Sequence, residues 1–217
     1  MDSITVLVGE EETQFVLHKT FVSNHSEFFN KACNSEWKES IEAVVRLPEI
    51  EPHVFGVYIG WLYTGCIDVS KDAEEAKDLE YKPGMEVEDD DAIRETLVSS
   101  YTLGDALLDY GFQNAIITEF IQFTETIDSL PHPREISTLW DQIVVGSTMA
   151  RLLVDYMAVD FSPETFIQQA DDFPSGLVLE IAKAGVRDAH LSRDDRKPKR
   201  RDKCFYHTHK HDSDKCA

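Results

Sequence analysis

The stretch 15–65 constrains the fold of this chain most, because the spacing of its apolar residues changes from that of a strand to that of a helix. Phe15 and Leu17 lie on one face of an extended run, and Ile4–Val8 forms another such run before it. The Gly-Glu-Glu-Glu turn between the two runs predicts a β-hairpin. Since the apolar period becomes helical after Lys19, the second strand is predicted to lead directly into a short helix.

Signals for the ends of helices and strands divide the rest of this stretch. Ser26 is the predicted N-cap of a short helix that buries Phe29. A further strand is predicted at residues 44–47. Pro52 fits the first turn of a longer helix, and Gly65 fits the position just beyond its last turn.

Composition limits the partners and the compartment. The 217 residues carry 21 Lys and Arg against 41 Asp and Glu, a formal net charge of −20. This charge disfavours nucleic acid and anionic membranes as partners of the whole chain, and no apolar run approaches the roughly 20 residues of a membrane span. The N-terminal residues lack the pattern of a signal peptide, so we expect a reducing compartment, nuclear and/or cytoplasmic. Cys33 and Cys66 lie in apolar surroundings and are predicted to be buried.

Four pieces of sequence resemble the signature of the BTB/POZ domain. In chain order they are Phe15-Val-Leu-His18-Lys19, Ser26-Glu-Phe-Phe29, Leu47-Pro48, and Phe55 followed by Trp61-Leu-Tyr63-Thr-Gly65. The resemblance implies an α+β fold in which a small mixed sheet is surrounded by helices. It also implies that His18 lies at a strand-to-helix corner, where we expect backbone groups to satisfy it, and that Gly65 closes the third helix.

Two helices are predicted near the end of this region. The first runs from Ile93 to Tyr110, with Leu97 and Tyr101 on its apolar face, and ends at Gly111. The second begins just after this glycine. The pair resembles the last two helices of a BTB domain.

The chain is predicted to contain three regions. Residues 1–125 resemble a BTB/POZ domain that is interrupted by residues 70–92, an acidic segment predicted to be exposed and flexible. Residues 126–192 are predicted to form a helical C-terminal extension, which resembles that of fungal single-BTB proteins. Residues 193–217 form a basic tail that contains Cys and His and is predicted to be flexible.

The resemblance implies a protein–protein interaction module. BTB domains commonly form homodimers through the first helix and the N-terminal strand, and many dock a cullin of a ubiquitin ligase around the third helix. In this chain the docking surface would include Ile50, Phe55 and Tyr58. The expected partners are therefore proteins, among them a second copy of this chain and a cullin.

The tail contains a constellation of residues with the chemistry of a metal site. Cys204, His207, His211 and Cys216 follow the spacing Cys-x2-His-x3-His-x4-Cys, and His209 could replace either histidine. Two thiolates and two imidazoles are a ligand set that tetrahedral Zn²⁺ takes. Because the segment has few apolar residues, the metal would supply most of its folding free energy. The alternative is a disordered, His-rich terminus that binds metal only loosely.

No pattern in the sequence predicts an enzyme. A Gly-rich phosphate loop, a His-Glu-x-x-His motif and a nucleophile elbow are all absent from it. The alternative function is a nuclear regulatory protein, in which the BTB region assembles complexes and the tail contacts nucleic acid. Its basis is the basic cluster at residues 196–201, which also fits a nuclear-localisation signal.

Overall fold

The computed structural model divides the chain into two compact units. The N-terminal unit consists of Met1–Lys82 and Ser99–Ile116, and the C-terminal unit consists of Pro83–Val98 and Ile117–Ala217. The residues that the structure describes are 3–34, 43–69, 87–127, 129, 131, 133–160, 164, 168, 173–209 and 216. Most of the predicted acidic insertion, residues 70–86, lies outside them.

Three strands form the sheet of the N-terminal unit: β1 (Ser3–Val8), β2 (Thr13–His18) and β3 (Val44–Leu47). The central strand β1 pairs antiparallel with β2 and parallel with β3. The β1–β2 connection is the predicted hairpin, and its turn places Gly9 at φ 77° and Glu12 at φ 52°. The sheet is therefore small and mixed, as the resemblance implies.

Three helices belong to the same part of the chain: α1 (Lys19–His25), α2 (Glu27–Asn34) and α3 (Pro52–Thr64). The change of period after Lys19 is confirmed, because α1 follows β2 without a loop. The ends of α3 are also as predicted, with Pro52 in its first turn and Gly65 in the left-handed conformation at φ 74°.

Ser26 caps α2, as its position in the sequence predicts. Its Oγ accepts a hydrogen bond from the amide of Phe29 at 3.1 Å. The same hydroxyl donates to the carbonyl of Leu107 at 2.6 Å. The cap therefore also fixes the start of α2 to a residue 81 positions later in the N-terminal unit.

Two long helices follow, α4 (Val87–Ala106) and α5 (Tyr110–Ile127). Residues 87–92 are thus helical, and their assignment to a flexible insertion was wrong. Gly111 lies inside α5 and does not end a helix, because the chain turns earlier, at Leu108 with φ 53°. Among the helices that the structure describes, none combines the length and apolar character that a membrane span requires.

The core of the N-terminal unit is built from the apolar faces of these elements. Its buried members include Ile4, Val6, Val8, Leu17, Val22, Phe29, Phe55, Tyr58, Leu103, Leu107 and Phe112. Cys33 is buried as predicted. Cys66 is exposed, so that prediction was wrong for it, because this residue follows Gly65 beyond the end of α3.

The C-terminal unit is helical. Its elements after α5 are α6 (Pro133–Asp141), α7 (Thr148–Asp160), α8 (Ser175–Arg187), the short α9 (Arg193–Arg196) and 3-10 turns at Pro198–Arg200 and Lys203–Phe205. Ser147 caps α7 as predicted, since its Oγ accepts a hydrogen bond from the amide of Ala150 at 3.1 Å. The core of this unit contains Leu139, Trp140, Met149, Leu152, Leu153, Tyr156, Met157, Leu177 and Ile181.

The first part of the basic tail is folded, and the prediction that it is flexible was wrong for residues 193–206. The side chain of Tyr206 is only 2% exposed. Its hydroxyl donates a hydrogen bond to Oδ2 of Asp155 on α7 at 2.7 Å. Burial of one aromatic side chain contributes roughly 1.5–3 kcal/mol, so this single residue gives the tail a specific place in the C-terminal unit.

Candidate functional site

Cysteine and histidine side chains of the tail come together in the C-terminal unit. One ligand atom from each of Cys204, His209 and Cys216 lies within 4.8 Å of the other two. The Sγ of Cys216 is 3.8 Å from Nε2 of His209, and the amide of Cys216 donates to Sγ of Cys204 at 3.2 Å. This Cys-His-Cys group could hold a metal ion, because thiolate and imidazole are ligands that transition metals favour.

The structure places a further histidine beside this group. Nδ1 of His207 lies 2.9 Å from Sγ of Cys216. Nε2 of the same ring lies 3.1 Å from Oγ1 of Thr118 on α5. His211, the other histidine of the predicted ligand set, lies outside the described residues. The full predicted set of four ligands therefore stays a prediction. His209, which the sequence offered as a replacement for either of the other two histidines, is the one that lies with Cys204 and Cys216.

Basic residues of the tail pair with acidic side chains of the same unit. Nζ of Lys199 lies 2.5 Å from Oε2 of Glu125, and Arg201 pairs with Asp188. Pro198, which directly precedes Lys199, is buried. Part of the cluster predicted for nucleic acid or for nuclear import thus compensates negative charge within the protein.

Asp155 on α7 is the centre of a buried polar network. Its carboxylate accepts hydrogen bonds from the hydroxyl of Tyr206 at 2.7 Å and from Nη2 of Arg187 at 2.5 Å. Nη2 of Arg187 also donates to Asp188 at 2.6 Å. Burial raises the pKa of Tyr206, and the negative charge of Asp155 adds to the rise, so the phenol keeps its proton and donates it. The network therefore holds the tail against α7 through the hydrogen bond that Tyr206 donates.

The contribution of this network is testable with Tyr206→Phe. This change keeps the ring in place but removes one of the donors to a buried carboxylate, so it should lower the free energy of unfolding of the C-terminal unit by about 1–3 kcal/mol. Hydrogen exchange of the amides in α7 and α8 measures the effect. Unchanged protection of both helices would show that the hydroxyl does not stabilise the tail.

Aromatic and imidazole rings form a partly exposed cluster on the N-terminal unit, here named the aromatic patch. Its members are His18, Phe21, His25, Trp61 and Tyr63. Phe21 and Tyr63 stack with their ring centroids 5.1 Å apart, and they are 37% and 43% exposed. The ring of His25 approaches both Phe21 and Trp61. Exposed aromatic side chains of this kind are typical of protein interfaces.

His18 joins two pieces of the sequence signature. It is the last residue of β2 and directly precedes α1. The hydroxyl of Tyr63 accepts a hydrogen bond from the amide of His18 at 3.2 Å and lies 3.0 Å from its Nδ1. The expectation that backbone groups satisfy His18 was therefore wrong for the ring, whose partner is a side chain. The last turn of α3 is in this way fixed to the strand-to-helix corner.

The three residues predicted for cullin docking lie in different environments. Phe55 and Tyr58 are fully buried, so their side chains belong to the core, and the prediction that they lie on an exposed surface needs correction. Phe55 packs edge-on against Phe15 with ring centroids 5.0 Å apart. Ile50, in the loop before α3, is partly exposed and keeps access to a partner. The spacing of apolar residues along α3 could not show which of its side chains are buried, because most positions of this helix are apolar.

Tyr58 makes a buried hydrogen bond in the core of the N-terminal unit. Its hydroxyl donates to Oδ2 of Asp109 at 3.2 Å, and the amide of Phe112 donates to Oδ1 of the same carboxylate at 3.1 Å. Burial raises the pKa of Tyr58, helped by the charge of Asp109. Burial also raises the pKa of Asp109, against the opposing effect of the two donors. Asp109 thus caps α5 and satisfies a core tyrosine, which is a structural role.

Comparison with protein families agrees with this architecture. Residues 3–81 match the model of the BTB/POZ domain. The match covers the sheet and α1 to α3, and the α+β arrangement of the N-terminal unit is the BTB/POZ fold. No curated protein matches the chain. Since the match ends at residue 81, the limits predicted for the domain, the extension and the tail stay predictions.

A BTB/POZ domain is generally a protein–protein interaction module and is not typically an enzyme. The aromatic patch is the part of this domain that the sequence interpretation missed as a surface. Phe21 and His25 are four residues apart on α1, a spacing that places them on the same face of the helix. This spacing was the available signal, but their approach to Trp61 and Tyr63 depends on the tertiary fold.

Proposed function

We propose that this chain acts by protein–protein interaction through its BTB/POZ domain, as a homodimer and as an adaptor for a cullin-type ubiquitin ligase. The aromatic patch is the observation that carries the proposal. Its α1 residues belong to the element through which the resembled family commonly dimerises. Its α3 residues belong to the helix around which many members of that family dock a cullin.

The energetics of the exposed side chains support an interface on this domain. Val16 on β2 is 61% exposed, and Phe21 and Tyr63 are also exposed. Burial of a side chain such as Phe in a partner interface is worth roughly 1.5–3 kcal/mol, and aromatic residues commonly dominate binding free energy. In the described sheet, β2 lies at an edge and so has backbone groups available for pairing.

A charge substitution in the aromatic patch tests dimerisation. Size-exclusion chromatography with light scattering should show a dimer for the native chain, and Phe21→Asp should weaken it by about 10-fold or more, because the charge would have to be desolvated in the interface. Leu179→Asp is the matched control, since Leu179 is 55% exposed but lies on α8 of the other unit. A native chain that stays monomeric, or an equal effect of both variants, would contradict the dimer proposal.

Capture of a cullin by the native chain tests the adaptor role in the same samples. Ile50→Asp should reduce capture without changing the dimer, because Ile50 is the predicted docking residue that keeps partial exposure. If the chain dimerises but captures no cullin, the adaptor role falls and the dimerisation proposal stands.

The C-terminal unit fits the part of an adaptor that would hold a substrate protein. It resembles the helical extension of fungal single-BTB proteins. Val144 and Val145, between α6 and α7, are 68% and 57% exposed, and Val186 on α8 is 79% exposed. These apolar side chains provide binding surface for a protein partner. We propose a nuclear and/or cytoplasmic location, where cullin-dependent ligases would be available.

The alternative of a nuclear regulatory protein whose tail contacts nucleic acid has less support. Lys199 and Arg201 pair with acidic side chains of the C-terminal unit, which reduces the positive charge that phosphate groups would meet. We propose that the Cys-His-Cys group of Cys204, His209 and Cys216 is a structural Zn²⁺ site. Two thiolates and an imidazole suit Zn²⁺ better than the hard cations Ca²⁺ and Mg²⁺.

A further inference from the structure

We infer that His207 is the fourth ligand of this zinc site and that the bound ion fastens the tail to the C-terminal unit. This assignment rests on the proposed Zn²⁺ site and adds to it a complete ligand set and a role. The ligands would be Cys204, His207, His209 and Cys216, with the spacing Cys-x2-His-x1-His-x6-Cys. Four protein ligands leave no open position, which is the arrangement of a structural zinc site.

The ligand atoms of Cys204, His209 and Cys216 lie close enough together for one small ion, and His207 is in contact with one of them. Tetrahedral Zn²⁺ with bonds of roughly 2.3 Å to sulfur and 2.0–2.1 Å to nitrogen holds its ligand atoms roughly 3.3–3.8 Å apart. Sγ of Cys216 is 3.8 Å from Nε2 of His209, at the upper end of this range, and 2.9 Å from Nδ1 of His207, which is shorter than the range. Cys204, His209 and Cys216 all lie within 4.8 Å of one another. His207 lies outside this group of three, so it would complete the tetrahedron by a shift that brings its Nδ1 towards the other two ligand atoms.

The second ring nitrogen of His207 supplies an independent argument. Nε2 lies 3.1 Å from Oγ1 of Thr118. When Nε2 carries the proton and donates it to this hydroxyl, Nδ1 presents its lone pair towards Cys216. Metal-binding histidines commonly have such a partner for the nitrogen that does not bind the metal, because the partner fixes both the tautomer and the ring orientation. Thr118 therefore has the position of an outer-shell group of the site.

Other contacts show what the ion would hold in place. Nη1 of Arg151 on α7 donates to the carbonyl of Phe205 at 3.2 Å, and its guanidinium lies 5.5 Å from the Phe205 ring. Tyr206, the next residue, is buried against Asp155. The ligands begin one residue before this anchored pair and continue one residue after it. Zinc at the site would close the tail around a segment that already has a fixed place on α7.

The ligand set is tested on the full chain, purified without a histidine tag under reducing conditions. One equivalent of zinc per chain is expected for the native protein. Cobalt substitution should give the intense absorption of a tetrahedral site with two thiolates. His207→Ala should lose this signature, whereas His211→Ala and the control His190→Ala should keep it. Loss of the signature in His211→Ala with retention in His207→Ala would overturn the assignment of His207.

The outer-shell role of Thr118 has its own matched control. Thr118→Val should lower zinc affinity by about 10–100-fold, the usual effect of removing an outer-shell partner. Thr126→Val removes an exposed hydroxyl from the same helix, one that donates to the carbonyl of Gln122, and should leave the affinity unchanged. Equal affinities for the native chain and both variants would contradict the orientation of His207 by Thr118.

The role of the ion is tested by removing it from the native chain with a chelator. Trypsin should then cleave at the basic residues 196–203 at least about 10-fold faster, because about 1.4 kcal/mol of lost tail stabilisation suffices for that factor. If zinc binds but cleavage is equally slow without it, the fastening role is wrong and the zinc site stands. If no zinc binds, the site and its role both fail, and dimerisation by the BTB/POZ domain is judged by its own experiment.

Discussion

Phe29→Ala is expected to lower the free energy of unfolding of the N-terminal unit by about 3–5 kcal/mol. Phe29 is 0% exposed, so truncation of its ring would leave a cavity that the surrounding core fills only in part. Its backbone amide is held by the Ser26 cap, which is itself bonded to Leu107. The helix is therefore tied at the start of this turn and has little freedom to collapse into the space.

The neighbouring residue provides the control for this effect. Phe28 packs edge-on against Phe29 with ring centroids 5.3 Å apart, but it is only partly buried. Phe28→Ala should therefore cost clearly less than Phe29→Ala. Because the chain has two compact units, hydrogen exchange of amides in β1, α2 and α3 is preferable to a single global transition. Equal losses for the two variants would mean that the buried face of α2 is incorrectly placed.

The part of the fold that was predictable from sequence is the part with local causes. The change of period after Lys19, the Ser26 cap, and the Pro52 and Gly65 ends of α3 are each determined by residues within one turn. The order of these signals along the chain was sufficient to predict the BTB/POZ fold. The hydrogen bonds between His18 and Tyr63 show why the order matters, since they bring together the two ends of the signature.

The errors occurred where the deciding interaction was not local. Gly111 is a common helix terminator, but the chain turns at Leu108, a residue with no intrinsic preference for φ 53°. The turn is stabilised instead by Asp109, which accepts hydrogen bonds from Phe112 and from Tyr58 on α3. Similarly, the acidic residues around Asp91 were interpreted as an exposed insertion. They belong to α4, where Asp91 pairs with Arg94 one turn later.

The candidate sites were predictable in composition but not in geometry. The Cys and His spacing of the tail indicated metal ligands, and the structure brings Cys204, His209 and Cys216 together. No pattern in the sequence pointed to Thr118 as the partner of His207, because 89 residues separate them. Likewise, Phe55 and Tyr58 have the residue types of an interface, but both are buried in the core.

Glu135→Leu is expected to lower the free energy of unfolding of the C-terminal unit by about 3 kcal/mol at pH 8. Its partner Arg94 is 1% exposed, and Nη1 of Arg94 lies 3.1 and 3.0 Å from the two carboxylate oxygens of Glu135. A guanidinium does not lose its proton in proteins, so removal of Glu135 leaves a buried charge. Asp91 at 2.9 Å and the carbonyl of Ser129 at 3.3 Å remain as partners, which places the loss at the lower end of the range for a broken buried pair.

Arg94→Leu is the matched control, because it removes the other member of the same pair. Burial raises the pKa of Glu135 to about 7, with Asp91 adding to the rise and Arg94 opposing it. Without Arg94 the carboxyl group of Glu135 takes up a proton and becomes neutral. Arg94 cannot become neutral in the same way when Glu135 is removed, because a guanidinium keeps its proton. Arg94→Leu should therefore cost less than Glu135→Leu at pH 6, and its cost should grow towards pH 8.

The same pair makes stability depend on pH in a specific direction. In the unfolded chain Glu135 loses its proton near its ordinary pKa of 4.5, whereas in the folded protein it keeps the proton up to about pH 7. The folded state thus binds more protons between these values, and the contribution of this group to stability falls as pH rises through the window. Hydrogen exchange of α4 and α6 between pH 5 and 8, corrected for intrinsic rates, should show this fall in the native chain and not in Glu135→Gln. If stability still falls with rising pH in Glu135→Gln, the proton belongs to another group. If Glu135→Leu and Arg94→Leu lower the free energy of unfolding equally at pH 6, the carboxyl group of Glu135 does not become neutral when Arg94 is removed.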